Sequence, residues 1–513
     1  MNNLPASPDF SFLKKQAEHL LRDARLEEAD ALKRFTRALP FLKATESTKF
    51  RTHELKLHDA QSVIARENGF PSWTELKRYV EWKQIDRAER LKIWFEWAYQ
   101  GTPRKRKLAA RMLREEPKFF EEDLWLAFAT GDVSAIERLV PADAGWPNLP
   151  GGRLKMPPLA AVTHSLLILE GGFEAGFLKS ARFLLQNGAD VNSSWTNPKW
   201  PDAPLSALYG AVGRTHNVEM TKLLLDAGAD PNDNESLYHS VESRDSTCTR
   251  LLLQAGTRVS GTNAIGRVLD YDKLSDLELM LHHGGDAKES PWIHHAILRG
   301  RSLPHIQVLI AAGADLRATN CDGITLYRWA QMHGRADVVE LLRHAGIEEP
   351  LTEEEQFVAA CARGDAAAGR AIQQRIPDIF SRLNKKQLQT LPELASVGNM
   401  PAVHAMLEVG WPREVKAAWD ATALNLAVYR GDARMAELLL DNGADWRTVH
   451  GFKDNVLGSL AYASQAEIED PAPGDYVGCA KVLIAHGVPL PDGDYHFSAE
   501  VTEYFDSVRL GAG

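Results

Sequence analysis

The residues of this chain that could do chemistry are few and scattered. His282-His283 and His294-His295 are adjacent pairs. Neighbours in a helix point about 100° apart, so neither pair can grip one metal ion by itself. Cys248, Cys321, Cys361 and Cys479 show no C-x-x-C spacing and no local nucleophile signature. An isolated cysteine in a helix is usually a small core residue. No G-x-x-x-x-G-K-[ST], G-x-S-x-G or H-E-x-x-H occurs in the sequence. The expectation is therefore no catalytic residue, no metal, no cofactor and no enzyme.

Groups suited to recognition are better represented. Trp195 and Trp200 stand in a polar, proline-bearing insertion, NSSWTNPKWPDAP (192–204). Exposed tryptophans are common binding anchors, and packing back onto a neighbouring loop is their other use. The densest basic run is Arg104-Lys105-Arg106-Lys107, followed by Arg111 and Arg114. Through residue 118 there are 25 Lys and Arg against 17 Asp and Glu, whereas the remainder has 34 against 52. Such asymmetry can mark an end that meets nucleic acid, which gives the alternative reading of a nucleic-acid-associated regulator. Glu115 and Glu116 beside the run suit a solvated helical face instead. Asp59, Glu67, Glu75 and Glu81 on the preceding helices disfavour phosphate contact.

The elements that must position these residues follow from one repeated phrase. Eleven times between 131 and 487 a helical stretch, a small or polar break and, about twelve residues on, a glycine recur. LLQNGADVN (184–192), LLLDAGADPN (223–232), VLIAAGADL (308–316) and LLLDNGADW (438–446) are the clearest copies. Val218, Met220, Leu223, Leu224 and Leu225 recur at helical spacing and predict one buried face, with Glu219, Lys222 and Asp226 wet. Gly228 then closes the helix, because glycine takes the left-handed conformation that costs other residues roughly 1 kcal/mol. A shorter helix lies upstream, as in Leu424, Leu426, Ala427 and Val428 before Gly431. Neither helix can bury its face alone, so hairpins of about 33 residues have to stack on one another.

On these residues the chain resembles the ankyrin repeat, whose consensus is T-P-L-H-x-A-A, a central glycine, then L-L-L-x-x-G-A-D. Further matches are SPWIHHAILRG (290–300), NCDGITLYRWAQMHG (320–334) and ATALNLAVYRG (421–431). The resemblance implies an all-α solenoid of about eleven helical hairpins, several degenerate. Central and terminal positions pair as 131/143, 176/188, 216/228, 244/256, 272/284, 300/313, 334/346, 364/376, 398/410, 431/443 and 474/487. His216, Arg244 and Asp272 replace the first glycine, and Asp143 and Ile376 the second. At Ile376 the following Pro377 should stop the helix instead.

In ankyrin arrays the turns between repeats project as fingers, and fingers with first helices line a concave face. The step from a terminal position to the next central one measures finger length. It is 21 for 313–334 and 410–431, the consensus value, but only 16 for 228–244, 256–272 and 284–300. Three consecutive fingers are expected to be missing or very short, leaving a notch over the first helices. Tyr238, Glu242, Tyr271, His294 and Arg299 are expected to face it. Between 230 and 290 there are 11 acidic and 6 basic residues, which favours a protein partner carrying a positively charged segment. In the consensus a histidine at the place of His294 bonds to backbone at the turn. Trp419, Tyr429 and Arg430 fall where the family points residues into the concave face, and aromatic side chains with arginine suit protein recognition.

The ends differ from the array. Residues 1–85 are expected to form an N-terminal helical module, with a helix start at Ser72-Trp73-Thr74-Glu75 after Gly69-Phe70-Pro71. LHDAQSVIARENGFPSWTELKRYVE (57–81) resembles a small helical module that often precedes ankyrin arrays in bacterial proteins. Residues 86–118 read as basic connecting helices, 119–490 as the array and 491–513 as its C-terminal cap. No apolar run approaches the ~20 residues of a membrane span, and no secretion signal opens the chain. The expectation is a cytoplasmic, non-catalytic scaffold that binds another protein.

Overall fold

The computed structural model describes residues 4, 8–39, 55–70, 72–120, 123–143, 145–197, 201–465, 474–491 and 495–511. The chain divides into two compact units, 1–109 with 497–513, and 110–496. In the first unit, helices Phe10–Arg25, Ala29–Ala38, Leu57–Glu67, Trp73–Gln84 and Arg87–Gln100 carry an aromatic core of Phe35, Tyr79, Trp82 and Trp94. Ser72 caps its helix as expected, accepting from Glu75 N. Within the segment expected to cap the array, 497–513 instead groups with this unit. Phe497, Val501 and Phe505 are buried, and Glu503 lies 3.8 Å from Arg66.

The second unit is built almost wholly of helix pairs. Hairpins 1 to 4 are Leu124–Thr130 with Val133–Leu139, Pro158–Thr163 with Glu174–Gln186, Ala207–Tyr209 with Val218–Asp226, and Ser236–Ser240 with Thr247–Gln254. Hairpins 5 to 8 are Ala264–Asp270 with Leu274–His282, Trp292–Leu298 with Leu303–Ala311, Leu326–Met332 with Ala336–His344, and Glu353–Ala362 with Ala366–Arg375. Hairpins 9 to 11 are Thr390–Ser396 with Met400–Glu408, Ala423–Arg430 with Ala433–Asp441, and Val456–Gln465 with Tyr476–Ala485.

Hairpin 10 shows how the sequence makes each pair. Thr422 and Asn425 form a reciprocal capping box that satisfies the first orphan donors of the helix. Gly431 ends that helix at φ 74°, and Asp432 at once caps the next by accepting from Met435 N. Leu424, Ala427 and Val428 meet Met435, Ala436 and Leu439 in a buried layer. Each large apolar side chain so hidden contributes roughly 1.5–3 kcal/mol.

His216 and Asp272 adopt φ 47° and 56°, so two of the residues that replace the central glycine still take its left-handed turn. Gly176 does not. It lies inside Glu174–Gln186, and the break before that helix falls at Gly171-Gly172.

Through hairpins 1 to 7, first helices pack on first helices and second on second, as a solenoid requires. The register changes after hairpin 8, whose first helix packs on the second helix of hairpin 9. The cause is local. Ile376, at φ −129°, ends its helix without a left-handed cap, and the chain runs on through two single turns, Ile379–Arg382 and Lys385–Leu388, before hairpin 9.

Linker lengths vary as the spacing predicts. Residues 227–235, 255–263 and 283–291 join hairpins 3 to 6, nine in each case, against fourteen at 312–325 and 409–422. One long linker carries a two-stranded ribbon, β1 (Ser194–Thr196) paired antiparallel with β2 (Pro204–Ser206).

Candidate protein-recognition surface

The three trimmed linkers bring the first helices of hairpins 4, 5 and 6 side by side under short loops. Tyr238 and His239 lie on the first of these helices, with Glu242 just beyond it. Arg267 and Asp270 lie on the second, and Tyr271 caps it. His295 lies on the third, and Arg299 caps it. Each of these eight side chains is half-buried.

Arg267 is the hub. Its guanidinium stands 5.1 Å from the Tyr238 ring centre and 4.9 Å from that of Tyr271, held between two aromatic faces. Arg267 Nε donates to Glu242 Oε1 at 3.1 Å, and His239 Nδ1 lies 2.9 Å from the same oxygen. Arg267 Nη1 lies 3.6 Å from Asp270 Oδ2. Asp270 Oδ1 then accepts from Arg299 Nε at 2.7 Å and lies 2.9 Å from His295 Nε2. A continuous polar ladder therefore crosses three repeats.

Burial opposes ionisation of both carboxyls, but their partners outweigh it. His239 and Arg267 hold Glu242 below the usual carboxylate range, and His295 and Arg299 do the same for Asp270. Burial likewise opposes the Arg267 charge, yet the Glu242 hydrogen bond raises its pKa further. Glu242, Asp270 and Arg267 are thus held in their charged forms. The ladder offers aromatic edges, anchored arginines and oriented carboxylates, the groups that recognise protein surfaces.

The structure brings Tyr238, Glu242, Tyr271 and Arg299 together, and it adds Arg267, His239, Asp270 and His295. Arg267 is legible only as one turn before Tyr271, because Tyr238 and Glu242 come from the preceding repeat. His294 must be corrected. It is 4% exposed, and its Nε2 lies 3.1 Å from Ile324 O, so it ties a turn and does not face a partner.

Trp195 is corrected in the same way. It is 8% exposed, and its Nε1 donates to Leu154 O at 2.9 Å, packing the ribbon onto the preceding loop. Trp200 lies outside the described residues.

A second aromatic group stands near the end of the array. Trp419 is 52% exposed, and its ring lies 6.0 Å from that of Tyr429, which stacks on Tyr462 at 6.2 Å. Phe452 and Val449 are also exposed on the next finger. The two fingers are joined by Gly451 N to Trp419 O at 2.8 Å and Lys416 Nζ to Val449 O at 2.7 Å. Arg430 is half-buried and donates to Ser396 O at 3.3 Å.

The chemistry-bearing residues are placed as structure. Cys248, Cys361 and Cys479 are buried and Cys321 is exposed. Burial pushes the Cys361 and Cys479 thiols up to about 12, which removes the thiolate a nucleophile requires. Among the described residues no cluster of three or more His, Cys, Asp or Glu could hold a metal ion, and no helix is long and apolar enough to cross a membrane. The basic run of helix Pro103–Glu115 meets acids of two preceding helices and of its own. Arg104 lies 3.9 Å from Glu75, Lys105 3.7 Å from Glu96, and Arg111 2.7 Å from Glu115.

Residues 419–450 match the ankyrin repeat family. That segment is the finger and helix pair of hairpin 10, and the same hairpin recurs along the unit. The fold is an all-α ankyrin-repeat solenoid. Mouse rabankyrin-5 (Mus musculus) is 24% identical over 335 residues, covering 54% of this chain and 28% of that protein. Human ankyrin repeat and SOCS box protein 6 (Homo sapiens) is 30% identical over 156 residues, covering 29% of this chain and 34% of that protein. The chain thus spans about a third or less of the length of these relatives. The human ASB11 ankyrin repeat domain superposes with a TM-score of 0.22 at 17% identity, covering 44% of this chain and 99% of that one.

Proposed function

We propose that this protein is a non-catalytic scaffold that captures another protein on the ladder of hairpins 4 to 6. The observation that carries this reading is the Tyr238–Arg267–Tyr271 sandwich. It is half-exposed beneath three linkers too short to cover it, with Glu242 and Asp270 fixed beside it. Ankyrin arrays are interaction modules, which supports the class of function, while the partner is set by side chains and not by fold. The acidic balance of residues 230–290 favours a partner that presents a basic segment. Trp419, Tyr429 and Arg430 form a second, aromatic contact region in this proposal. Four unpaired cysteines suit a reducing compartment such as the cytoplasm.

The test is affinity capture from the native cell with the full chain and with the double variant Tyr238→Ala, Tyr271→Ala. Loss of the captured protein with an unchanged circular dichroism spectrum supports the proposal. Undiminished capture overturns it.

A further inference from the structure

Hairpin 9 touches more than its neighbours in sequence. His333 Nε2, at the end of a helix in hairpin 7, lies 3.2 Å from Glu393 Oε2 in hairpin 9. Lys386 Nζ donates to Glu393 Oε1 at 2.7 Å and stands 5.0 Å from the centre of the Trp329 ring. Lys386 also lies 4.0 Å from Asp322 on the finger that leads into hairpin 7. A methyl group placed on Gly300, at the end of the first helix of hairpin 6, would fall 3.1 Å from Val397 Cβ. These contacts skip hairpin 8 and join hairpin 9 to hairpins 6 and 7. The pair at their centre is buried, with Glu393 8% and His333 3% exposed.

Two features set this closure apart from ordinary stacking. Neighbouring hairpins meet through buried leucine, alanine and valine and keep charged contacts such as the Arg267 ladder half-exposed, whereas this contact buries Glu393 and His333. The desolvation cost of a buried ion pair nearly cancels its attraction, so such a contact specifies an arrangement more than it stabilises one. The connector is also unlike the others. Ile376 and Pro377 take the place of the glycine exit, and two single-turn helices separated by Leu383 and Asn384 replace the finger. A few residues at element ends, able to absorb a change in backbone angles, are what a hinge requires.

We propose that Lys386, Glu393 and His333 form an internal latch. It holds hairpins 9 to 11 closed against the ends of hairpins 6 and 7, and its release swings them about residues 376–384. Opening uncovers Trp329 and His333, which lie beyond Arg299 on the following hairpin. The latch therefore sets how much recognition surface a partner meets. That last consequence rests on the proposed binding function, whereas the opening itself does not.

Hydrogen exchange and small-angle scattering on the full chain test the latch without any partner. Glu393→Ala removes the carboxylate that Lys386 and His333 share, and Glu393→Gln keeps the shape while removing the charge. The expected result in both variants is at least ~tenfold faster amide exchange confined to residues 326–334 and 385–397, with a larger radius of gyration. A second change, Gly300→Cys with Val397→Cys, oxidised to a disulfide in the Glu393→Ala background, should restore the compact radius and the slow exchange. The proposal is overturned if exchange rises across all hairpins, which would make the contact ordinary core. It is equally overturned if neither variant changes exchange at those two segments, or if the disulfide forms and restores nothing.

Discussion

Gly334→Ala probes the stacking of hairpin upon hairpin at one atom. Gly334 ends the first helix of hairpin 7 at φ 65°, and a Cβ built there would lie 2.1 Å from Ala362 O of hairpin 8. The left-handed conformation costs an alanine about 1 kcal/mol. Relieving a clash with backbone requires the next hairpin to move, which adds about 1–3 kcal/mol as overpacking does. The expected destabilisation is therefore about 2–4 kcal/mol. Gly228 is the control. Its φ is 91°, and no atom lies within 4 Å of its added Cβ, so Gly228→Ala carries only the conformational cost, about 1 kcal/mol. Urea unfolding followed by circular dichroism gives both values, and hydrogen exchange should place the Gly334→Ala loss at hairpins 7 and 8. Equal destabilisation by the two substitutions, within about 0.5 kcal/mol, would refute the argument from nearest-neighbour contact.

Three further outcomes are expected. Arg267→Ala should cost about 2 kcal/mol, from two cation–π contacts and a half-exposed ion pair, and Arg267→Lys about half that, measured by urea midpoint. Burial lowers the pKa of His164 to about 3 and of His294 to about 4, so both stay neutral in the fold. Unfolded histidine takes up its proton near pH 6.5, so their contribution is complete above that pH and is lost as pH falls. Each should remove about 2 kcal/mol between pH 6.5 and 5, and His164→Phe should flatten the measured slope. In a native thiol titration only Cys321 should react quickly, with the three buried cysteines following on denaturation.

Much of the fold was legible because its punctuation is chemical. Left-handed turns select glycine, and nine of the terminal positions, from Gly188 to Gly487, are glycines with positive φ. The steps between them foretold the nine-residue linkers at hairpins 4 to 6. Gly176 misled because a glycine can also serve close packing. Its Cβ would fall 2.6 Å from Gly131 O, so it lets two hairpins approach from within a helix. The ladder was half legible. Tyr238 and Tyr271 are one repeat apart and stand out, but Arg267 acquires meaning only when two repeats are set side by side in space. The contact of Glu393 with His333 was not legible, because sixty residues separate the pair and no repeat rule joins hairpin 9 to hairpin 7. Ile376-Pro377 marked the place where the rule fails, without showing where the chain then goes.

On the proposed function, a partner protein reads the face formed by Tyr238, Arg267 and Tyr271. The most direct measurement is quantitative capture from the native cell by the full chain, by Tyr238→Ala with Tyr271→Ala, and by Trp419→Ala as a variant of the other aromatic region. The double variant should lose at least ~tenfold of the captured protein while remaining folded. Full capture by the folded double variant would contradict it.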